Sequence, residues 1–511
     1  MNLLLIILSS FLYAAAFPKL NFWWLSFIAL VPFFAVLDKE RSAIKQAGFG
    51  VLWGVGMSIG MGYWVFPTVF HHYEVPFVKS LVFFVLCLLL PIGLIYGAFA
   101  LIYRFLWQDH FFFYTLVIPA IWTLQEYVKE CVSFLIPWGG ISSALVPFSA
   151  FVQMADIIGA YGIVFMVVMV NALCFRFIKG RRRGKGVVTT RLRFRVHEYL
   201  PLFLCFLLIA VPSLYGIYRV KTIDGWIRQK ALTDKPVTVT LVQGNYSTKE
   251  RWSGMGFYQR TMSYLDMSQS DENGQRVIVW PETTLNSSKE INDAFFSKLM
   301  QAIGEESLLI SGGLKTDTGT NDVYNCVYFI SGKGRLTRYD KHFLLPYAET
   351  SPLIDLLDTY YTAPGEFKEG RTPVSVDTPE GLAGASVCME ILYPDFIRRS
   401  VRDGATYLVN VSNDSWFGDS PMPYIHLNEA KLRAIENRRY LLRASNSGIS
   451  AIISPTGQTM AWSRLFTKER VDGKFIRMGG KSVYTRFGNL ILYGAVLTLM
   501  AALIQVIARK N

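Results

Sequence analysis

Metal-ligand spacing is missing from this sequence. Its 511 residues include six cysteines and six histidines, with no Cys-x-x-Cys or Cys/His spacing of the kind that holds zinc. A disulfide framework is missing too. Cys87, Cys131, Cys174 and Cys205 lie in apolar stretches, where a thiol behaves as a small hydrophobe. Cys326 and Cys388 remain as a pair that could cross-link in an oxidising compartment, which would silence either as a nucleophile. No histidine stands in a Cys-His context, which argues against a papain-like dyad. Charge is scarce as well: 17% of residues are charged, against roughly a quarter in soluble domains. The net charge of +13 comes with no nucleic-acid recognition motif, so nucleic acid is not expected as a partner.

What is present is an uneven hydrophobicity. Stretches approaching or exceeding the ~20 residues that cross hydrocarbon read as Leu3–Phe17, Phe22–Leu37, Ala47–Val69, Val78–Phe105, Phe111–Val128, Val152–Ile178, Leu200–Tyr218 and Leu490–Ala508. This predicts a bundle of about eight transmembrane helices. Met1–Phe17 lacks a basic leader region and another span follows at once, so it reads as a retained helix. Lys39, Arg41, Lys45, Arg104 and the cluster from Arg176 to Arg195 all fall on one side when the spans alternate. Basic loops mark the cytoplasmic side, which places the intervening hydrophilic part outside. The domain expectation is residues 1–220 as membrane helices, 235–475 as an extracytoplasmic catalytic domain and 484–511 as a last membrane helix.

Within the membrane part, Gly50/Gly54, Gly56/Gly60 and Gly93/Gly97 are small-residue pairs that allow close helix approach. Glu126 sits in an apolar stretch, either on a substrate path or as an inward-facing partner of another polar group. His71 and His72 read as loop residues.

The hydrophilic part reads as an α/β domain. Short runs at Val237–Val242, Val277–Trp280, Leu308–Ser311, Val323–Ile330, Ala385–Cys388, Tyr407–Val411 and Gly448–Ile453 have strand character. Ile291–Ala302 and His426–Arg443 show helical spacing of apolar residues. Ser331-Gly332-Lys333-Gly334 reads as a hairpin turn, which makes the sheet mixed.

Three reactive groups follow strands in this domain: Glu282, Lys341 and Cys388. A cysteine attacking an ester or amide needs a base for its proton and donors for the oxyanion. Glu282 beside Trp280 and Pro281 suits the base, because an apolar wall raises a carboxylate pKa. Lys341 supplies positive charge that favours thiolate. Glu349 and Glu390 are placed to orient these groups. Taken singly each signal is weak, since a strand-end cysteine is usually core and a lysine after Tyr-x is usually surface.

Their order and local sequence are stronger. Trp280-Pro281-Glu282, the run Tyr339 to Glu349, and Val387-Cys388-Met389-Glu390-Ile391 resemble the nitrilase, or carbon–nitrogen hydrolase, superfamily. Asn413-Asp414-Ser415-Trp416-Phe417-Gly418, Val242-Gln243-Gly244-Asn245, Arg251-Trp252 and the membrane stretch Pro137-Trp138-Gly139 resemble one branch, the bacterial apolipoprotein N-acyltransferases. The resemblance implies an αββα sandwich joined to an eight-helix bundle at the outer face of the cytoplasmic membrane. It implies Glu282 as base, Lys341 as oxyanion stabiliser and Cys388 as nucleophile, with no cofactor and no metal. It further implies a phospholipid acyl donor and a diacylglyceryl-lipoprotein acceptor. Trp252 and Trp416 line the lipid cleft or belong to the domain core, and Tyr347 and Met389 are expected against substrate. The chain departs from the family at Tyr347, Ala348 and Thr350, at Met389 and at Ser415. The alternatives are a membrane-tethered amidase that hydrolyses its thioester, and a transporter or scaffold that leaves the Glu282/Lys341/Cys388 set unexplained.

Overall fold

The computed structural model describes residues 1–132, 135–184, 192–247, 256–269, 276–285, 293–304, 306–332, 335–350, 367–371 and 374–509. The chain gathers into two compact units: Met1–Phe66 with Pro76–Arg219 and Asn489–Asn511, and Pro67–Val75 with Val220–Gly488.

The first unit is helical. Among the described residues of the chain, four helices are long and apolar enough to cross a membrane, Phe77–Phe105, Ala155–Arg181, Tyr199–Thr233 (which runs on into the second unit) and Leu490–Ala508, and a bent pair running from Ala43 to His72, its end in the second unit, makes up to five. The expected count of eight is not reached among the described residues by this measure, because other apolar stretches form shorter pieces. Asn2–Ala15 has 14 residues, about 21 Å of helix, and Phe22–Leu37 is divided between a 3₁₀ turn and the nine-residue helix Val31–Lys39. The small-residue pairs do let helices approach: a β-carbon on Gly50 would collide with the Tyr96 carbonyl, and one on Gly54 would press on Gly93. Trp53 packs at their centre against Tyr96 and Trp122. Glu126 takes the inward-facing alternative. Its carboxylate accepts from Tyr96 Oη at 3.1 Å and pairs with Lys129 at 2.6 Å.

Among its described residues the second unit holds two six-stranded sheets. The strands are β1 Val237–Gln243, β2 Arg276–Leu285, β3 Leu308–Thr316, β4 Val323–Ser331, β5 Leu336–Asp340, β6 Ser375–Thr378, β7 Gly381–Val387, β8 Tyr407–Ser412, β9 Leu441–Ser445, β10 Ala451–Ile453, β11 Thr459–Trp462 and β12 Glu469–Phe475. One sheet runs β12-β1-β2-β3-β4-β5 and the other β11-β10-β9-β8-β7-β6. Each has a parallel centre, β1-β2-β3 and β7-β8-β9, flanked by antiparallel strands. The parallel strands are buried along most of their length because both faces are covered. Helices Phe257–Ser268 and Asp293–Ile303 bury Tyr264, Leu299 and Met300 against Ile278 and Trp280 of the first sheet. Helices Pro394–Arg402 and Met422–Asn437 cover the second, and the two sheets meet face to face through β1 and β2 against β8 and β9. This is the αββα layering.

One helix differs from expectation. Helical spacing predicts His426–Arg443, but the helix ends at Asn437, with Arg438 turned left-handed at φ 52°. Leu441–Ser445 is instead a fully buried strand paired in parallel with β8. A short apolar run satisfies either period, and here pairing with the neighbouring strand decides.

Candidate active site

Glu282 lies on β2, whose residues are all buried. The β2–β3 pairing shifts register between Trp280 and Leu285, and Thr283 has φ 51°. The backbone therefore leaves the regular ladder at the glutamate. Facing it on β3 is Gly312, where a β-carbon would collide with the Glu282 Cα. Only glycine permits that approach.

Lys341 follows β5. Its backbone N–H donates to Asn325 O at 2.9 Å and its carbonyl accepts from Gly370 N at 2.7 Å. The side chain is 1% exposed, with Nζ 2.6 Å from Glu349 Oε2 and 3.7 Å from Glu282 Oε1. Asn325, on β4, joins the two carboxylates. Its Nδ2 donates to Glu282 Oε1 at 2.8 Å and to Glu349 Oε1 at 2.7 Å. Glu349 Oε2 also accepts from Leu345 N at 2.7 Å.

Cys388 is the first residue after β7 and opens the 3₁₀ turn Cys388–Leu392. Its φ is 50°, a left-handed conformation uncommon away from glycine. The strand was expected to include Cys388 and instead ends one residue earlier, because this conformation cannot continue a ladder. Glu390 ties the turn to the lysine loop. Its Oε2 accepts from Val387 N and Tyr339 Oη, each at 2.7 Å, and its Oε1 from His342 N at 2.7 Å and Phe343 N at 3.1 Å.

Charge and burial oppose one another here. Burial pushes the Cys388 thiol well above its ordinary pKa and the Glu282 carboxylate adds to this, while Lys341 pulls it down. Burial alone would depress the Lys341 ammonium, but Glu349 and then Glu282 outweigh it and hold the lysine charged, above its ordinary value. Burial pushes Glu390 up to about 7 against the opposing pull of Lys341 and the Val387 N–H. The site is thus a cation between two carboxylates, next to a thiol that is neutral at rest. Such a set can move a proton off sulfur as sulfur attacks, and can receive negative charge on an attacked carbonyl.

The other expected residues are distributed as follows. Met389 is buried in the turn after Cys388. Tyr347 is half-buried at φ 66°, its N–H on Thr350 O at 2.8 Å. Trp416 is half-buried, its ring stacked on Tyr73 with centroids 5.4 Å apart and its carbonyl accepting from Thr68 Oγ1 at 2.6 Å. Trp252 lies outside the described residues. Cys326 and Cys388 are both free thiols, so the cross-link left open by the sequence is not formed. Cys326 is instead held inside β4, its Sγ 3.3 Å from Gly313 O.

Sequence reasoning missed Asn325 and a buried group beneath Cys388: Asn410, Ser412, Asp414, His426 and Arg443. Asn410 Nδ2 and His426 Nε2 reach the Cys388 carbonyl at 3.3 and 3.0 Å. Asp414 pairs with Arg443 at 2.7 Å. The Asn413-Asp414 motif was a signal for this group, but nothing in it pointed to Cys388.

Residues 238–471 match the family model for carbon-nitrogen hydrolases, and residues 9–173 match that of the apolipoprotein N-acyltransferase N-terminal domain. Among curated proteins, the apolipoprotein N-acyltransferase of Geobacter metallireducens is 27% identical over 509 residues, covering 96% of this chain and 93% of its own. That of Haemophilus influenzae is 27% identical over 530 residues, covering 99% and 95%. Among solved structures, a carbon-nitrogen hydrolase from Helicobacter pylori aligns at 17% identity and a TM-score of 0.40, covering 51% of this chain and 98% of that one. Nit3 of Saccharomyces cerevisiae aligns at 18% and 0.37, covering 47% and 89%.

Proposed function

The chain belongs to the apolipoprotein N-acyltransferase family, built on the carbon–nitrogen hydrolase fold, and on that footing we propose how its residues carry out acyl transfer. The acyl donor is a membrane phospholipid, and the acceptor is the N-terminal amine of a diacylglyceryl-cysteine lipoprotein. Glu282 takes the Cys388 proton as sulfur attacks the ester carbonyl, and the oxyanion forms against the Lys341 ammonium. Collapse breaks the C–O bond. The departing lysophospholipid alkoxide takes the proton back from Glu282, leaving an acyl thioester on Cys388. The amine then attacks the thioester and gives its proton to Glu282. Collapse expels the Cys388 sulfur, which recovers that proton, and an amide is left on the lipoprotein. Asn325 and Glu349 hold Glu282 and Lys341 in register. Met389, Tyr347, Trp416 and Trp252 are assigned to the substrate path.

The observation that carries this reading is the buried Lys341 ammonium, 2.6 Å from Glu349 and 3.7 Å from Glu282, in the same buried site as the Cys388 thiol. The protein is a membrane protein. Its assignment to the bacterial inner membrane, with residues 235–475 on the extracytoplasmic side and residues 1–220 and 484–511 in the bilayer, is supported by the basic loops and by the lipid nature of both substrates. Water exclusion at the buried thiol favours transfer over hydrolysis, and the amidase alternative is not favoured by relatives matched over nearly the whole chain.

Intact-mass analysis with phospholipid tests the reading. Wild type is expected to gain one fatty-acyl mass and lose it on addition of a diacylated lipopeptide, while Cys388→Ala gains none. An adduct formed equally by the alanine variant would overturn it.

A further inference from the structure

His426 lies on the helix Met422–Asn437 and is fully buried. On one side its Nε2 is 3.0 Å from the Cys388 carbonyl oxygen. On the other, its Nδ1 is 3.0 Å from Arg443 Nη2 and 3.1 Å from Asp414 Oδ1. A backbone carbonyl oxygen can only accept, so Nε2 carries a ring proton aimed at Cys388, while Nδ1 faces one donor, Arg443 Nη2, and one acceptor, Asp414 Oδ1. Asp414 is already engaged, by Ser412 Oγ at 2.7 Å and Arg443 Nη2 at 2.7 Å. Burial and the Arg443 charge hold His426 below its ordinary pKa against the pull of Asp414, which keeps the ring neutral.

The carbonyl it meets is unusual. At φ 50° Cys388 has left the β7–β8 ladder, whose last pair is Val387 with Val411. A buried carbonyl outside a ladder must find another donor. His426 supplies one and Asn410 Nδ2 the second at 3.3 Å, with Asn410 itself anchored by Arg443 through Oδ1.

The geometry points to His426 as a positioning residue, whose Nε2–H fixes the left-handed turn that aims the Cys388 thiol, without touching the acyl group. This rests on Cys388 being the nucleophile. It predicts that the imidazole matters as a neutral donor of fixed length, and that its loss misdirects sulfur while substrate binding is spared.

The test uses the full chain in detergent micelles, comparing His426→Gln, which keeps a donor, with His426→Met, which keeps the bulk alone. Two rates are read: alkylation of Cys388 by iodoacetamide, followed at its own peptide, and acyl transfer from phospholipid to a diacylated lipopeptide. His426→Met is expected to slow alkylation and kcat by about tenfold or more with KM within about twofold, and His426→Gln to restore most of both. Wild-type rates in the methionine variant, or equal loss in both variants, would overturn the proposal. Should His426→Met fail to fold, nitrogen NMR of ¹⁵N-histidine-labelled wild type decides: a neutral Nε2-protonated His426 is expected, and an Nδ1-protonated ring refutes it. If wild type forms no acyl adduct while alkylation still depends on His426, the acyl-transfer reading fails and the positioning role stands.

Discussion

The Lys341 ammonium lies 2.6 Å from Glu349, nearer than the 3.7 Å that separates it from Glu282. The lysine is therefore anchored by the carboxylate eight residues further along the chain, and Glu282 is the looser partner, as the proposed role of proton acceptor requires. The two carboxylates should fail differently when neutralised. Glu349→Gln breaks a buried pair, which costs about 3–5 kcal/mol, and is expected to lower the melting temperature clearly as well as slow acyl-enzyme formation on the order of 10²-fold. Glu282→Gln leaves the lysine paired and is expected to stop acyl-enzyme formation with a smaller loss of stability. Thermal melting alongside single-turnover mass analysis separates them. Equal melting losses would mean that the distances do not rank the two pairs.

Glu390 gives a pH signature. Burial raises its carboxyl to about 7 in the fold, against about 4.3 in an unfolded chain. The folded state therefore binds the extra proton between these values. The associated stability is fully present below about 4.3 and is lost as pH rises through 7, on the order of 3 kcal/mol. His426, held below its ordinary value, works the other way as pH falls below about 6.5. Asp414 is depressed by Arg443 and His426 despite its burial, so its contribution is lost only below about 4. Both of these are common to wild type and Glu390→Gln. The difference between the two proteins' stabilities should decline from pH 4.5 to 7.5 in denaturant titrations, and a difference flat with pH would remove Glu390 as its source.

How much of this was legible in the sequence follows from where each contact runs. Cys388 and Glu282 end apolar runs and Lys341 follows the polar strand β5, so chain order and local motif were enough to single them out. Asn325 sits inside such a run, on β4, and bridges Glu282 and Glu349 only because β4 lies between β3 and β5. Periodicity carries no trace of that neighbourhood. His426 is 38 residues from the carbonyl it holds. Extending its helix through Arg443 also hid the strand β9 that brings the guanidinium back beneath Cys388. The membrane spans were blurred for a related reason. Hydropathy measures composition, whereas helix breaks such as that between Trp23–Phe27 and Val31–Lys39 depend on packing.

Gly312 offers a test that touches no reactive group. A β-carbon there would collide with the Glu282 Cα and the Pro281 carbonyl, both main-chain positions that cannot swing aside. Gly312→Ala is expected to push β2 away from β3 and move Glu282 relative to Lys341. A displacement of about 1 Å costs on the order of 10²-fold in rate, so kcat should fall by that order while circular dichroism stays unchanged. Gly319, whose β-carbon would meet only the Asp317 side chain at 3.3 Å, is the control, and Gly319→Ala should leave the rate as it was. Equal rates in the two variants would show that the β2–β3 contact does not set the position of the carboxylate.

Cys388 itself separates conformation from chemistry. Its φ of 50° costs a residue with a β-carbon roughly 1–2 kcal/mol, and a glycine avoids this at an entropic cost of about 0.5–1 kcal/mol. Both Cys388→Ala and Cys388→Gly remove the thiol, so both should be inactive and form no acyl adduct. They should differ in stability: the glycine variant is expected to exceed the alanine variant by about 0.5–1 kcal/mol, a shift of roughly 2 °C for a unit of this size. A glycine variant that melts below the alanine variant would mean that the turn is held by its hydrogen bonds without backbone strain. The His426 and Asn410 bonds to the Cys388 carbonyl would then be what chiefly holds the turn, and removing the His426 donor from the glycine variant should erase what stability the turn retains.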